Sequence, residues 1–329
     1  MFDMMRGCSY LTMVGYYRGL CIFLISLLSV NAVASTAHYQ ELFADGKLDV
    51  TLALGFEQKS KDGGFPVVGP IANIFRGLKI DQLNALRDVE LVEKELLDCW
   101  ECGFKVVKRA KGERIYEAEF EDEKRLIKVR VRFIFALKGV STTWLRRAFV
   151  HALGHDDLIM YIGHARDGRG FPDFGAPTGD VGKIFINDEF GGWMGFEKGY
   201  FSPTKYQILS VHACKTQKYF EKVIRSRVWE KDHSKLALIM TSDDSWFEDY
   251  PGTSVALIRG LMLRLDRQSL LKSLELAAPY YYGYHRGQEQ IKPLFTADGF
   301  FDSTYVGRPR PQRKRPKEPW REIPFLQAQ

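Results

Sequence analysis

Apolar positions fall into two kinds of run along this chain. In the first half they alternate or recur at helical spacing, and after residue 155 they become short and unbroken. Residues 48–56 read as a strand, followed by a turn-rich stretch to Gly69. Leu83, Leu86, Val89, Val92 and Leu96 recur close to the helical period and predict a helix over 81–97. Three strands are predicted at 104–107, 115–120 and 126–135. The last sets Ile127, Val129 and Val131 against Lys128, Arg130 and Arg132, so one of its faces meets water. A helix is expected over 142–153. The runs 158–162, 207–211 and 236–240 are short and predominantly apolar, as strands buried on both faces are. Helices are expected over 215–229 and 253–274. The pattern predicts a three-layer α/β/α domain over 37–295 with a mostly parallel central sheet.

The two ends of the chain read differently. Residues 20–34 form a predominantly apolar run of fifteen, short of the roughly 20 that a membrane-spanning helix needs. Arg6 and Arg18 precede it and Ala32-Val33-Ala34 closes it, the pattern of a secretory signal. The expectation is a signal peptide over 1–34 cleaved near Ala34, and a periplasmic or secreted protein with no membrane span. The chain is 45% hydrophobic and 27% charged, which excludes a wholly disordered, collagen-like or coiled-coil protein. Its net charge of +6 is concentrated in residues 308–321, where seven basic residues stand against one acidic. The rest is close to neutral, so no nucleic-acid-binding face is expected on the body. The proline-rich tail 308–329 reads as disordered, either as a solubilising tail or as a segment that binds an anionic partner.

Cys8 and Cys21 would leave with the signal, and Cys99, Cys102 and Cys214 would remain. Cys99 and Cys102 close a helical pattern that ends at Gly103, whereas redox pairs of this spacing open a helix. They read as a structural disulfide or as two idle thiols. Cys214 is left without a partner.

Two of the buried runs end in reactive residues. His164 follows the run at 158–162 and Cys214 follows the run at 207–211, fifty residues later. Ligand sites in open α/β sheets lie beyond the carboxyl ends of the strands. Neighbouring parallel strands would therefore bring an imidazole to a thiol that needs a base. The helix after Cys214 would add its N-terminal dipole. Gly163-His164 and Ala213-Cys214 resemble the paired motifs of the caspase-like cysteine peptidases, a group that includes caspases, legumains, gingipains and clostripain. The resemblance covers residues 155–265. It implies a Cys214–His164 dyad, an oxyanion site at the N–H groups of Cys214 and Ala165, a protein or peptide substrate, and no cofactor or metal.

Several features depart from that group. Ala165 stands where it usually has glycine, and His212 stands where several relatives carry an acidic residue or glutamine shaping the specificity pocket. The loop 168–175, which holds Asp173, and the stretch 241–250, which holds Trp246, are expected to wall the site. Asp173, His212 and Trp246 are thus the expected substrate contacts. Two other readings compete with an exported cysteine endopeptidase. One is a non-catalytic envelope binding protein of the same fold. The other is a metal-dependent hydrolase built on His151 and His155, with His164 or Asp156 as third ligand. The second lacks the glutamate that a metalloprotease helix would carry at position 152, which is Ala152.

Overall fold

A computed structural model describes residues 38–55, 80–122, 125–137, 139–165, 168, 170–171, 200–228, 231–286, 288 and 290–300. The expected signal segment, the basic tail and Asp173 lie outside the described residues. Continuous apolar sequence becomes buried strand. β1 (Lys47–Leu54), β5 (Leu158–Ile162), β6 (Gln207–His212) and β7 (Leu236–Thr241) form the middle of an eight-stranded sheet. β4 (Arg125–Phe135) completes the parallel part. The antiparallel hairpin of β2 (Lys105–Ala110) and β3 (Glu113–Asp122) extends one edge, and antiparallel β8 (Phe295–Asp298) closes the other. The order across the sheet is β2–β3–β4–β1–β5–β6–β7–β8. Every residue of β5, β6 and β7 is buried, whereas all six residues of β2 are exposed.

The period-two geometry of a strand sends successive side chains to opposite faces. Leu158, Met160 and Ile162 of β5 join one hydrophobic cluster, together with α1 (Ile80–Asp98), α4 (Tyr250–Met262) and α5 (Arg267–Leu276). Ile159 and Tyr161 join a second cluster, with α2 (Thr142–His155) and α3 (Lys222–Arg227). The result is a mixed α/β fold around one mostly parallel sheet. Cys99 and Cys102 form a disulfide just past the end of α1. No helix of the described residues is long and apolar enough to cross a membrane.

Three elements differ from expectation. The helix expected over 253–274 is two helices, broken where Arg264 takes a left-handed backbone angle of +53°. Arg264 reaches Asp122 at 2.8 Å, and the Asp266 side chain caps α5 by accepting from the Ser269 N–H at 2.9 Å. Gly260 lets the two helices close on each other, because a Cβ there would strike the Leu270 side chain. The helix expected over 215–229 begins as a π-helical turn, Gln217–Glu221, before α3. β8, unforeseen, pairs with β7, and the core continues past it to the fully buried Phe300.

Polar groups lock the amino ends of the central strands. Asp157 accepts from the Asp49 N–H at 2.8 Å and pairs with Lys205 at 2.7 Å. Buried Gln207 uses its whole amide: Nε2 donates to the Leu153 and Asp156 carbonyls, and Oε1 accepts from the Ser202 N–H and from Lys231 Nζ. Gln207→Leu strands these partners inside the protein and should lower unfolding free energy by about 3 kcal/mol. The far end of β6 is untouched, so alkylation of Cys214 should stay within about twofold of wild type. Urea unfolding together with timed alkylation checks both parts.

Candidate active site

The carboxyl ends of β5 and β6 set the geometry. The two strands pair in parallel with Ile162 opposite His212, and the Gly163 N–H continues the ladder by donating to the His212 carbonyl at 3.2 Å. His164 and Cys214 therefore each follow the last registered pair by two residues. Parallel neighbours lie about 4.8 Å apart, so the two residues leave the sheet side by side. The chain order reverses between β1 and β5, since β4 lies on one side of β1 and β5 on the other. In open α/β sheets ligand sites lie beside such a reversal.

Gly163 is held where a side chain does not fit. A Cβ would strike the Gly55 carbonyl oxygen and stand 2.5 Å from the Tyr161 hydroxyl. That hydroxyl donates to the His164 carbonyl at 3.1 Å, which ties the turn back to β5. Beyond it, Ala165 is buried in the second cluster, and its carbonyl accepts from the Gly168 N–H at 3.0 Å.

Cys214 is half-buried and is the free cysteine of the described residues. Immediately after it Lys215 adopts a left-handed φ of 53°, rare for a residue with a side chain, so the chain reverses directly behind the sulfur. Two ties hold the reversed backbone: the Lys215 N–H donates to the Asp243 carbonyl at 2.8 Å, and Lys215 Nζ pairs with Asp244 at 2.8 Å. A buried threonine pair fastens the same turn to β7. Thr216 Oγ1 donates to the Val211 carbonyl at 3.0 Å, Thr241 Oγ1 donates to the Ala213 carbonyl, and the two hydroxyls lie 2.9 Å apart.

The loop after β7 touches both reactive residues. The Ser245 carbonyl lies 3.8 Å from Cys214 Sγ, and the Phe247 ring meets the His164 ring edge-on at 4.9 Å. Between them Trp246, 37% exposed, packs on Tyr284 with ring centres 4.9 Å apart. Tyr284 belongs to α6 (Pro279–Tyr284), whose first N–H groups donate to buried Asp249 at 2.9 Å each. Trp246 is thus a partly exposed residue of the loop that touches His164 and Cys214. Ser245, Phe247 and Tyr250 had no signal of their own in the sequence beyond membership of the wall segment.

His212 has a different place from the one the resemblance implied. It is sealed from solvent, with Nε2 paired to Ser210 Oγ at 2.9 Å and Nδ1 to Thr253 Oγ1 at 3.1 Å. Its side of β6 faces α4, so it joins sheet to helix and does not line a pocket. The helix expected after Cys214 begins as a short π-helical turn three residues beyond it and runs on into α3. The thiol is held above its ordinary value, chiefly by burial and also by Asp244. Ser245 hydrogen bonds and Lys215 pull the other way.

The histidine pair on α2 lies elsewhere. His151 and His155 stack with ring centres 4.0 Å apart, and His155 Nδ1 is engaged with the His151 carbonyl at 2.8 Å. They stand before the amino end of β5, whereas His164 stands past its carboxyl end, roughly 17 Å away at strand rise. Among the described residues no group of three or more His, Cys, Asp or Glu is arranged to hold a metal ion.

No protein-family model matches the chain, and no curated protein matches it either. The functional reading therefore stands on the site itself.

The buried imidazole has a measurable signature. Burial pushes the His212 pKa down to about 3, while an unfolded histidine titrates near 6.5. Between those values the unfolded chain binds the extra proton, so stability falls as pH falls, by about 1.4 kcal/mol per pH unit. His212→Gln removes the titration. Its stability should decline less steeply than wild type between about pH 6 and 4, as denaturant unfolding at several pH values would read.

Proposed function

We propose that this chain is an exported cysteine endopeptidase of the caspase-like group, with the helices on either side of the sheet forming that group's three-layer domain. The observation that carries the reading is the shared register of Gly163-His164 and Ala213-Cys214 on adjacent parallel strands. In this reading Cys214 attacks the scissile carbonyl as a thiolate, forming a carbon–sulfur bond. The N–H groups of Cys214 and Ala165 receive the negative charge that develops on the carbonyl oxygen. His164 takes the thiol proton and returns it to the leaving amine as the carbon–nitrogen bond breaks. Water then hydrolyses the thioester and regenerates the thiol. Trp246, beside Tyr284, contacts the bound peptide. Export follows from residues 1–34, and the basic tail binds an anionic partner.

A non-catalytic envelope protein of the same fold is the second reading. It is favoured by the burial that keeps the Cys214 thiol above its ordinary pKa.

Mutation separates the two. Cys214→Ala should abolish peptide hydrolysis and leave the thermal midpoint within about 4 °C of wild type, because a small side chain is replaced by a slightly smaller one. His164→Ala should slow hydrolysis by roughly 10²- to 10⁴-fold, the usual worth of a general acid–base group. Full hydrolysis by Cys214→Ala would overturn the peptidase reading. Absence of hydrolysis across a diverse peptide library by the wild-type protein would favour the binding protein.

A further inference from the structure

Two hydroxyls, those of Ser245 and Tyr250, are paired beside the loop carbonyl that faces Cys214. Ser245 lies in the loop that covers the site, and Tyr250 opens α4. Tyr250 is buried, and its hydroxyl lies 2.8 Å from Ser245 Oγ and 3.3 Å from the Gly163 carbonyl oxygen. Its ring packs edge-on against Phe247 at 5.2 Å, the same Phe247 that meets His164. Ser245 borders the sulfur, its carbonyl accepting from the Cys214 thiol at 3.8 Å, and hydrogen bonding by Ser245 works to lower the thiol pKa against the larger effect of burial. Tyr250 is close enough to feel the charge of Cys214.

We propose that Ser245 and Tyr250 form a hydroxyl chain that stabilises the Cys214 thiolate, with Ser245 donating to the sulfur and Tyr250 positioning Ser245 by donating to its Oγ. Each hydroxyl carries one proton, so the chain has two arrangements. While the sulfur is protonated, its S–H points to the Ser245 carbonyl and Tyr250 donates to Gly163. When the sulfur becomes an anion, Tyr250 turns to Ser245 Oγ and the Ser245 proton turns to the sulfur. A hydrogen bond to a charged group is worth more than one between neutral groups, so the second arrangement is gained only with the charge. The same tyrosine oxygen touches the His164 turn through Gly163, so it links both halves of the site. Of the other groups facing Cys214, Asp244 and Lys215 pair with each other at 2.8 Å and act on the thiol in opposite directions, and His164 stands at the neighbouring strand end.

This inference rests on Cys214 being the nucleophile, but its test needs no peptide substrate, so either can fail alone. The measurement is the rate of iodoacetamide alkylation at Cys214 in the full chain, across about pH 6–10, read by mass spectrometry of the Cys214 peptide. In that reaction the thiol proton passes to solvent, sulfur bonds to the iodoacetamide carbon and iodide leaves. Ser245→Ala should raise the apparent thiol pKa by about one unit, slowing alkylation at pH 7 roughly tenfold. Ser245→Thr should restore the profile. Tyr250→Phe should raise the pKa by about half as much, and the double variant should match Ser245→Ala alone, because Tyr250 acts through Ser245. An unchanged profile in Ser245→Ala overturns the proposal. So does a Tyr250→Phe shift that persists without the Ser245 hydroxyl. If Tyr250→Phe fails to fold, the Ser245→Ala and Ser245→Thr pair decides by the same criterion.

Discussion

The pairing of β5 with β6, Ile162 opposite His212, is the constraint on which the reactive edge depends. A slip of one residue would turn every side chain of one strand to the opposite face. Such a slip would move Ile208 and Leu209 out of their separate hydrophobic clusters and leave Cys214 out of step with His164. Register is therefore enforced by the core on both faces, and the site inherits it without additional contacts. The ties that follow, from the Thr216–Thr241 pair to the Lys215 reversal, refine the position of a thiol whose level is already fixed.

The parts of this arrangement legible in the sequence are those with a local cause. β5 matches its apolar run residue for residue, and β6 and β7 each extend one residue further, because burial on both faces favours predominantly apolar side chains. β8 was illegible because four residues are too few to show a period. The break between α4 and α5 escaped a reading based on periodicity, since apolar spacing is blind to a single left-handed residue such as Arg264. His212 was misplaced for a different reason. A histidine becomes an interior residue only when distant groups satisfy it, and Thr253 is 41 positions away. The contact of Tyr250 with Gly163 spans 87 positions. No window along the chain contains such a pair.

Burial and reactivity pull against each other around Cys214. Removing a thiol from water disfavours its charged form, yet the same exclusion of water strengthens each hydrogen bond offered to a thiolate. Beside Cys214 the charges of Lys215 and Asp244 are paired with each other, and so are the hydroxyls of Ser245 and Tyr250. His212 shows the same economy deeper inside: a neutral imidazole with both nitrogens satisfied, buried without a counterion.

The hairpin at the far side of the sheet bears on how copies of this protein meet. β2 is an edge strand exposed along its whole length, and such an edge is a template on which another chain can add a strand. Lys105, Lys108 and Arg109 put charged side chains along it, the last two paired with Glu113 and Glu93, and the irregularity between Val106 and Lys108 breaks the even spacing that an incoming strand would need. Growth of the sheet in that direction is discouraged by the strand's own chemistry.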